Sequence, residues 1–106
     1  MSAVHWTDEA LACLEELHAH IGSVDPAAAA RMIERLLART RQLPDHPLSG
    51  RTVPDYRRAD LRELLERPYR IIYRVSPGQI EIITIKHYRQ RLPHQPEALA
   101  RSTDAN

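Results

Sequence analysis

The residues best suited to chemistry lie in the second half of the chain, where arginines recur inside a segment of strand character. The segment RPYRIIYRV, residues 67–75, combines β-branched and aromatic residues with Arg70 and Arg74, and His87 and Arg89 follow the next strand-like run. Guanidinium groups bind carboxylates and phosphates through paired hydrogen bonds, and an imidazole exchanges a proton near neutral pH. These residue types fit either recognition of an anionic partner or acid–base chemistry beside a phosphate.

The charge distribution favours a specific partner over a general polyanion. The 106-residue chain has 15 Lys and Arg residues, 14 Asp and Glu residues and a formal net charge of +1. This balance is too even for non-specific binding of nucleic acid. Between Arg51 and Arg101, however, eleven basic residues stand against six acidic ones. We therefore expect an anion-binding or acid-binding surface in this half.

The first half predicts a strand followed by a helical hairpin. Residues 3–6, AVHW, form a short strand-like run, and Thr7 is placed to cap a helix that ends near Gly22. Asp25 and Pro26 have the order of an N-cap and a first helical residue. Apolar residues recur at helical spacing in both segments, and so short a link between helices predicts an antiparallel pair.

The second half predicts an antiparallel meander. Residues 43–56 form a loop with three prolines and one glycine, and the strand-like runs DLRELLE, YRIIYRV and QIEIITIKH follow. Pro77-Gly78 suits a type II turn between the last two runs. The predicted fold is α+β, with an N-terminal strand and an antiparallel helical hairpin packed on one face of a curved, mainly antiparallel β-sheet.

A strand register follows if Ser76 lies opposite Gln79. This register pairs Tyr73 with Ile82, Arg74 with Glu81, Ile72 with Ile83 and Arg70 with Ile85, and a tight turn at Arg67-Pro68 places Glu63 across from Ile72. The face expected against the helices holds Tyr69, Ile71, Tyr73, Val75, Ile80 and Ile82. The opposite face, expected to be open, holds Arg70, Ile72, Arg74, Glu63, Glu81, Ile83, Ile85 and His87.

This register gives the arginines two different roles. Arg74 and Glu81 form a cross-strand pair, which is a structural role. Arg70 has Glu63 as its nearest opposite charge, and His87, Arg89 and Arg91 lie beyond the strand. We expect these cations on a half-apolar face to form a docking surface.

Several other features predict no additional site. The six histidines have no metal-ligand spacing, so we expect no metal or cofactor, and Cys13 is expected to pack within the first helix. Gly50-Arg51 is interpreted as a turn glycine with a solvated arginine, and the Tyr56–Arg58 segment is interpreted as solvated loop. We predict a domain of residues 1–93 and a tail of residues 94–106, with a helical turn near 97–100 and a disordered end. No secretion signal or membrane-spanning run is found, which predicts a cytoplasmic protein.

An ordered set of motifs resembles the ParE branch of the RelE/ParE superfamily, the toxins of bacterial type II toxin–antitoxin pairs. The motifs cover nearly everything but the tail. They are WTDEAL (6–11), DPAAAAR (25–31), LPDHPLSGR (43–51), LREL (61–64), YRIIYRV (69–75) and IKHYRQR (85–91).

The resemblance implies one of two activities. RelE-like members cut mRNA on the ribosome, and ParE-like members inhibit DNA gyrase without nuclease activity. Arg70 and Arg89 match arginine positions of the nucleases, but the two nuclease lysines fall at Leu61 and Glu63, and the C-terminal tyrosine is missing. A carboxylate beside Arg70 repels phosphate, so a gyrase-inhibiting toxin that is not an enzyme is favoured.

The partners implied by the resemblance are DNA gyrase and a ParD-like antitoxin, with operator DNA bound only through the antitoxin and no membrane contact. The residues predicted to bind a partner are Arg62, Glu63, Tyr69, Arg70, His87, Arg89 and Arg91. Two alternatives stay open. One is a ribosome-dependent endoribonuclease using Arg70, Arg89, His87 and His94, and the other is a non-toxic homologue that only binds its antitoxin.

Overall fold

Two capped helices form the predicted hairpin. The computed structural model describes residues 2–104, with side chains through residue 100. Helix α1 spans Asp8–Gly22 and helix α2 spans Pro26–Thr40. The side chain of Thr7 accepts a hydrogen bond from the Ala10 N–H at 3.1 Å, and Asp25 accepts one from the Ala28 N–H at 3.1 Å. Both predicted N-caps are confirmed, and the two-helix hairpin is present.

The sheet has five strands and confirms the α+β prediction. They are β1 (Ala3–Trp6), β2 (Arg51–Thr52), β3 (Leu61–Glu66), β4 (Tyr69–Ser76) and β5 (Gln79–His87), in the order β1-β5-β4-β3-β2. Strand β1 runs parallel to β5, and all other pairs are antiparallel. Strand β2 lies inside the segment predicted to be loop, because two residues are too short to show a strand period.

The main core lies between the hairpin and one face of the sheet. All six strand residues predicted to face the helices belong to it, and Leu36 and Leu43 pack against them from the α2 side. Gly78, in the β4–β5 turn, has a φ of 72°, which fits the predicted type II turn. The sheet face that carries the main core is therefore confirmed.

A β-bulge in β5 corrects the predicted register. From Ser76 to Tyr73 the pairs are as predicted, including Arg74 opposite Glu81, but Ile72 lies opposite Thr84 and Arg70 opposite Lys86. Ile83 is the extra residue that shifts the pairing. The predicted partners Ile83 for Ile72 and Ile85 for Arg70 were therefore wrong, because a bulge reverses the alternation of all residues that follow it.

The bulge also moves two residues to the helix side of the sheet. Ile85 lies opposite Ile71 and is part of the main core, and His87 lies opposite Tyr69. Both were predicted on the sheet face opposite the helices, the far face. This correction separates His87 from Arg70, with which it was grouped.

The far face of the sheet is covered, although the sequence predicted an open one. A second cluster contains Val53, Tyr56, Leu61, Ile72, Ile83 and Leu99, with Leu92 packed against it. The 53–56 segment covers this face from one side, and the C-terminal segment, which ends in a 3-10 helix at Pro96–Asp104, covers it from the other. Tyr56 is buried, so its assignment to a solvated loop was wrong.

The structure describes only part of the predicted tail, residues 94–106. Leu99 is buried within the second cluster. The predicted disordered end includes residues 105–106, which lie outside the described residues, and the division at residue 93 stays a prediction. Among residues 2–104, no helix is long and apolar enough to cross a bilayer.

Gly50 permits a close approach of three chain segments. A Cβ atom at this position would lie 2.6 Å from the Glu63 carbonyl oxygen and 2.6 Å from the Tyr73 hydroxyl oxygen. That hydroxyl accepts a hydrogen bond from the Gly50 N–H at 2.9 Å and donates one to the Pro47 carbonyl oxygen at 2.8 Å. Because Gly50 has no side chain, the 47–50 loop can approach the central strand β4 closely enough to form these two hydrogen bonds.

Candidate functional site

A network of two arginines and two carboxylates forms the centre of the candidate site. Nε of Arg70 donates to Oε1 of Glu63 at 2.7 Å, and Nε of Arg51 donates to Oε2 of the same carboxylate at 2.6 Å. Nη2 of Arg70 donates to Oδ1 of Asp55 at 3.1 Å. Strands β2, β3 and β4 therefore bring their charged side chains together on the far face.

The centre of this network is buried, whereas its two outer members are about half exposed. The Glu63 side chain has no accessible surface and that of Arg70 is 9% exposed, whereas Arg51 and Asp55 are 57% and 42% exposed. Burial lowers the pKa of Arg70, but the hydrogen bonds that Arg70 donates to Glu63 and Asp55 outweigh that effect and raise the pKa overall. Arg70 therefore keeps its charge in a site where an isolated cation would be costly.

Three of the predicted partner-binding residues meet at the end of the β4–β5 hairpin. The Tyr69 and His87 rings are in edge contact with centroids 5.9 Å apart, and His87 stacks on Tyr88 at 5.0 Å. Arg89 lies over the Tyr88 ring, 5.4 Å from its centroid, and its backbone N–H donates to Nδ1 of His87 at 3.1 Å. Tyr69, His87, Tyr88 and Arg89 thus form one aromatic cluster, with Tyr88 51% exposed.

The other predicted residues lie apart from this cluster. Arg62 lies on the helix side of β3 and donates to the carbonyl oxygens of Gly50 at 3.0 Å and Ala59 at 3.1 Å. Arg91 is exposed. The structure therefore divides the seven predicted residues between the buried network, the aromatic cluster, one loop contact and the surface. Their partner-binding role stays a prediction.

The four residues proposed for RNA cleavage are not assembled into one site. Arg70 faces Glu63 and Asp55, whereas His87 and Arg89 lie within the aromatic cluster. His94 is exposed in the segment that follows β5. Only His87 and Arg89 are joined by a hydrogen bond in the part of the chain that the structure describes.

A pocket lies beside the network. Its volume is about 720 Å³, and it opens between the β3–β4 turn and the loop after β2. Charged residues and apolar residues share its walls, among them Arg51, Asp55, Leu65, Arg67, Arg70 and Tyr88. Leu65 is 39% exposed, which adds an accessible apolar side chain to a site with three guanidinium groups.

The predicted site residues did not include five that the structure places here, namely Arg51, Asp55, Leu65, Arg67 and Tyr88. Arg51 and Asp55 lie in the segment taken for loop, and no periodicity links them to Glu63. Leu65 and Tyr88 were within recognised segments, but their exposure depends on the edge of the sheet and on the chain direction after β5. Only the closeness of Glu63 and Arg70 could be inferred from strand pairing.

The histidines and Cys13 do not form a second candidate site among the described residues. Among residues 2–104, no group of three or more His, Cys, Asp or Glu side chains could hold a metal ion. Cys13 is buried in α1, as expected, and its Sγ lies 3.4 Å from Oε2 of Glu9. Burial is the main cause that raises the pKa of the Cys13 thiol, which disfavours the reactive thiolate.

The comparisons with known proteins agree on one family. Residues 4–92 match the family described as ParE toxin of type II toxin-antitoxin system, parDE. The chain is 39% identical over 92 residues to a Sinorhizobium fredii (strain NBRC 101917 / NGR234) protein named "Putative toxin Y4kP", and the match covers 85% of this chain and 92% of that protein.

A solved structure extends the similarity to the fold. The chain is similar to a chain of the structure titled "Chromosomal ParDE TA system from P. aeruginosa", with a TM-score of 0.70 and 26% identity. This match covers 82% of the present chain and 96% of the other one. Since the family match spans most of the sequence and both the relative and the solved structure agree with it, the chain belongs to the ParE toxin family of type II toxin–antitoxin systems.

Proposed function

We propose that this protein is a ParE-like toxin that inhibits DNA gyrase and is neutralised by a ParD-like antitoxin. Family membership supports the toxin role. The observation that carries the choice of target is the contact of Arg70 with Glu63 and Asp55, because two carboxylates largely offset the Arg70 charge, whereas a nuclease needs uncompensated cations.

The geometry of the network argues against RNA cleavage. A nuclease stabilises the charge that develops on the phosphate with cations aimed at that position. Here two nitrogens of Arg70 already bind carboxylates, and Nε of Arg51 binds Glu63. The two carboxylates would also oppose the second negative charge that develops on the phosphate during cleavage. A role in recognition of a protein therefore fits the site better than catalysis.

A supercoiling assay tests the proposed target. Purified protein is added in increasing excess to DNA gyrase, ATP and relaxed plasmid. We expect loss of supercoiling and accumulation of cleaved plasmid after detergent and protease treatment. If neither effect is seen at high excess, the gyrase proposal is wrong.

Primer extension on translated mRNA tests the alternative enzyme. We expect transcripts from cells that express the protein to keep their uncut length at every codon. New 5′ ends at ribosome-bound positions would instead identify a nuclease and would reject the proposed function. Normal growth of cells that express the protein alone, together with inactive gyrase assays, would identify the non-toxic homologue.

The antitoxin is proposed to place an amphipathic helix along the α1–α2 hairpin and an acidic segment toward the arginines of the second half. Two large apolar side chains of the hairpin region support this docking, since Leu11 is 47% and Val24 is 88% exposed. Leu11→Glu is expected to weaken antitoxin binding by isothermal titration calorimetry. Leu48→Glu, at a loop leucine 62% exposed, serves as the matched control and is expected to bind normally.

A further inference from the structure

The Glu63 carboxylate accepts a hydrogen bond from the Nε atom of each of two guanidinium groups. Both Arg51 and Arg70 donate to it through Nε, at 2.6 Å and 2.7 Å. Among the described residues, whose side chains end at residue 100, neither Nη atom of Arg51 forms a hydrogen bond, and Nη1 of Arg70 forms none. Three donor nitrogens are thus left for a ligand on side chains whose orientation is already set.

These side chains border the pocket of about 720 Å³. Arg67 adds a third guanidinium group, and Asp55 contributes a carboxylate to the wall. Counting the buried Glu63, three cations face two anions, so the site has a small positive excess. Leu65 and Tyr88 supply apolar surface next to these charges.

We propose that this pocket binds an acidic side chain of an extended peptide segment, together with a neighbouring aliphatic side chain of the same peptide. The planar guanidinium groups of Arg51 and Arg70 match the shape of a carboxylate. Leu65 takes the aliphatic side chain. The inference rests on the proposed function in one respect: the acidic segment of the antitoxin is the expected source of the peptide.

Peptide fits this pocket better than nucleic acid does. A nucleic-acid strand needs a series of cations along its phosphates. Asp55, with 42% of its side chain exposed, places a negative charge at the pocket wall, where a second phosphate would be repelled. A peptide with one carboxylate and one apolar neighbour matches the single excess positive charge and Leu65, and it brings no second anion toward Asp55.

Binding is tested with a fluorescein-labelled peptide of about ten residues that alternates glutamate and leucine, measured by fluorescence anisotropy on the full chain. A peptide with glutamine in place of glutamate is the control ligand. We expect Arg51→Gln to weaken binding about threefold or more, as for a partly exposed charge pair. Arg31→Gln, which makes the same charge change on the exposed surface of α2, is expected to leave affinity unchanged.

The Asp55→Asn variant distinguishes a direct effect on peptide affinity from a general loss of structure. Removing this carboxylate takes negative charge from the pocket wall, so affinity for the acidic peptide is expected to rise about threefold. General loss of structure would lower affinity instead. In NMR spectra, the peptide is expected to shift the Nε–H signal of Arg70 and to leave that of Arg35, on α2, unchanged.

Besides an absence of peptide binding, four results would overturn the proposal. They are equal affinity for the glutamine peptide, equal effects of Arg51→Gln and Arg31→Gln, weaker binding by Asp55→Asn, and displacement of the peptide by a single-stranded oligonucleotide of the same net charge. The measurement contains neither gyrase nor antitoxin. If the peptide does not bind but the protein inhibits gyrase, only the pocket proposal is rejected. If the peptide binds but gyrase is not inhibited, only the gyrase target is rejected.

Discussion

Nε of Arg70 lies 2.7 Å from Oε1 of Glu63, and both side chains are almost completely removed from solvent. The two residues come from adjacent strands, β3 and β4. Desolvation of each charge is costly, and the ion pair offsets that cost only while both partners are present. The pair therefore links the stability of the sheet to the shape of the candidate site.

Removal of Glu63 is expected to destabilise the fold. Glu63→Ala leaves Arg70 with Asp55 alone and releases Arg51, so the free energy of unfolding should fall by about 3 kcal/mol. Urea denaturation measures this change. Glu34→Ala is the control, because Glu34 pairs with Arg41 where both side chains are 64% exposed, and it should cost less than about 1 kcal/mol. Equal losses for the two variants would contradict the structural role of Glu63.

The two glycines Gly50 and Gly22 should respond differently to an added methyl group. Gly50→Ala places Cβ 2.6 Å from backbone and from Tyr73, so it should cost about 1–3 kcal/mol of unfolding free energy. Gly22→Ala meets Cβ of Ala29 at an ordinary 3.6 Å, at the last residue of α1, and should be neutral or stabilising by up to about 1 kcal/mol. Thermal denaturation of both variants checks the contrast, and a stable Gly50→Ala protein would contradict it.

Tyr73 should make stability depend on alkaline pH. Burial raises the pKa of Tyr73 above its ordinary value of 10.0. Below this value both the folded and the unfolded chain keep the proton, and the contribution is complete. Above it the unfolded chain loses the proton first, so stability should fall by up to about 1.4 kcal/mol per pH unit for this group until folded Tyr73 also ionises.

Tyr73→Phe tests this pH dependence. The variant should lose about 1–3 kcal/mol at neutral pH, because the Gly50 N–H and the Pro47 carbonyl oxygen lose their partner. Its stability should then decrease less steeply than that of the parent protein above a pH of about 10. Urea denaturation as a function of pH measures both effects, and an unchanged alkaline slope would be the contrary outcome.

The two helix caps should differ in their contributions. The Thr7 hydroxyl accepts from the Ala10 N–H and also lies 2.9 Å from the carbonyl oxygens of Ile82 and Ile83, to one of which it donates its single hydrogen. The Asp25 side chain accepts an exposed capping bond from the Ala28 N–H and, among the described residues, forms no link to the sheet. Thr7→Ala should therefore cost about 2 kcal/mol and Asp25→Ala about 1 kcal/mol. Chemical denaturation compares them, and a larger loss for Asp25→Ala would show that the Thr7 link to β5 is unimportant.

The sequence determined the elements whose signals are local. Periodicity and capping residues located both helices, and Pro77-Gly78 located the β4–β5 turn. Counting outward from that turn placed Arg74 opposite Glu81 and identified the strand residues that pack on the hairpin. These features depend on neighbours along the chain, or on one turn, and one sequence is sufficient to read them.

Only the tertiary structure decided the register beyond Tyr73 and the cover of the far face. The bulge at Ile83 has no local sequence signal, and it moves His87 away from Arg70. The second cluster joins segments that are distant in sequence, and the hydrogen bond from Arg51 to Glu63 brings the segment predicted to be loop against β3. Such contacts form because the whole chain must bury its remaining apolar surface and pair its buried charges at once, and no local pattern specifies which segments will meet.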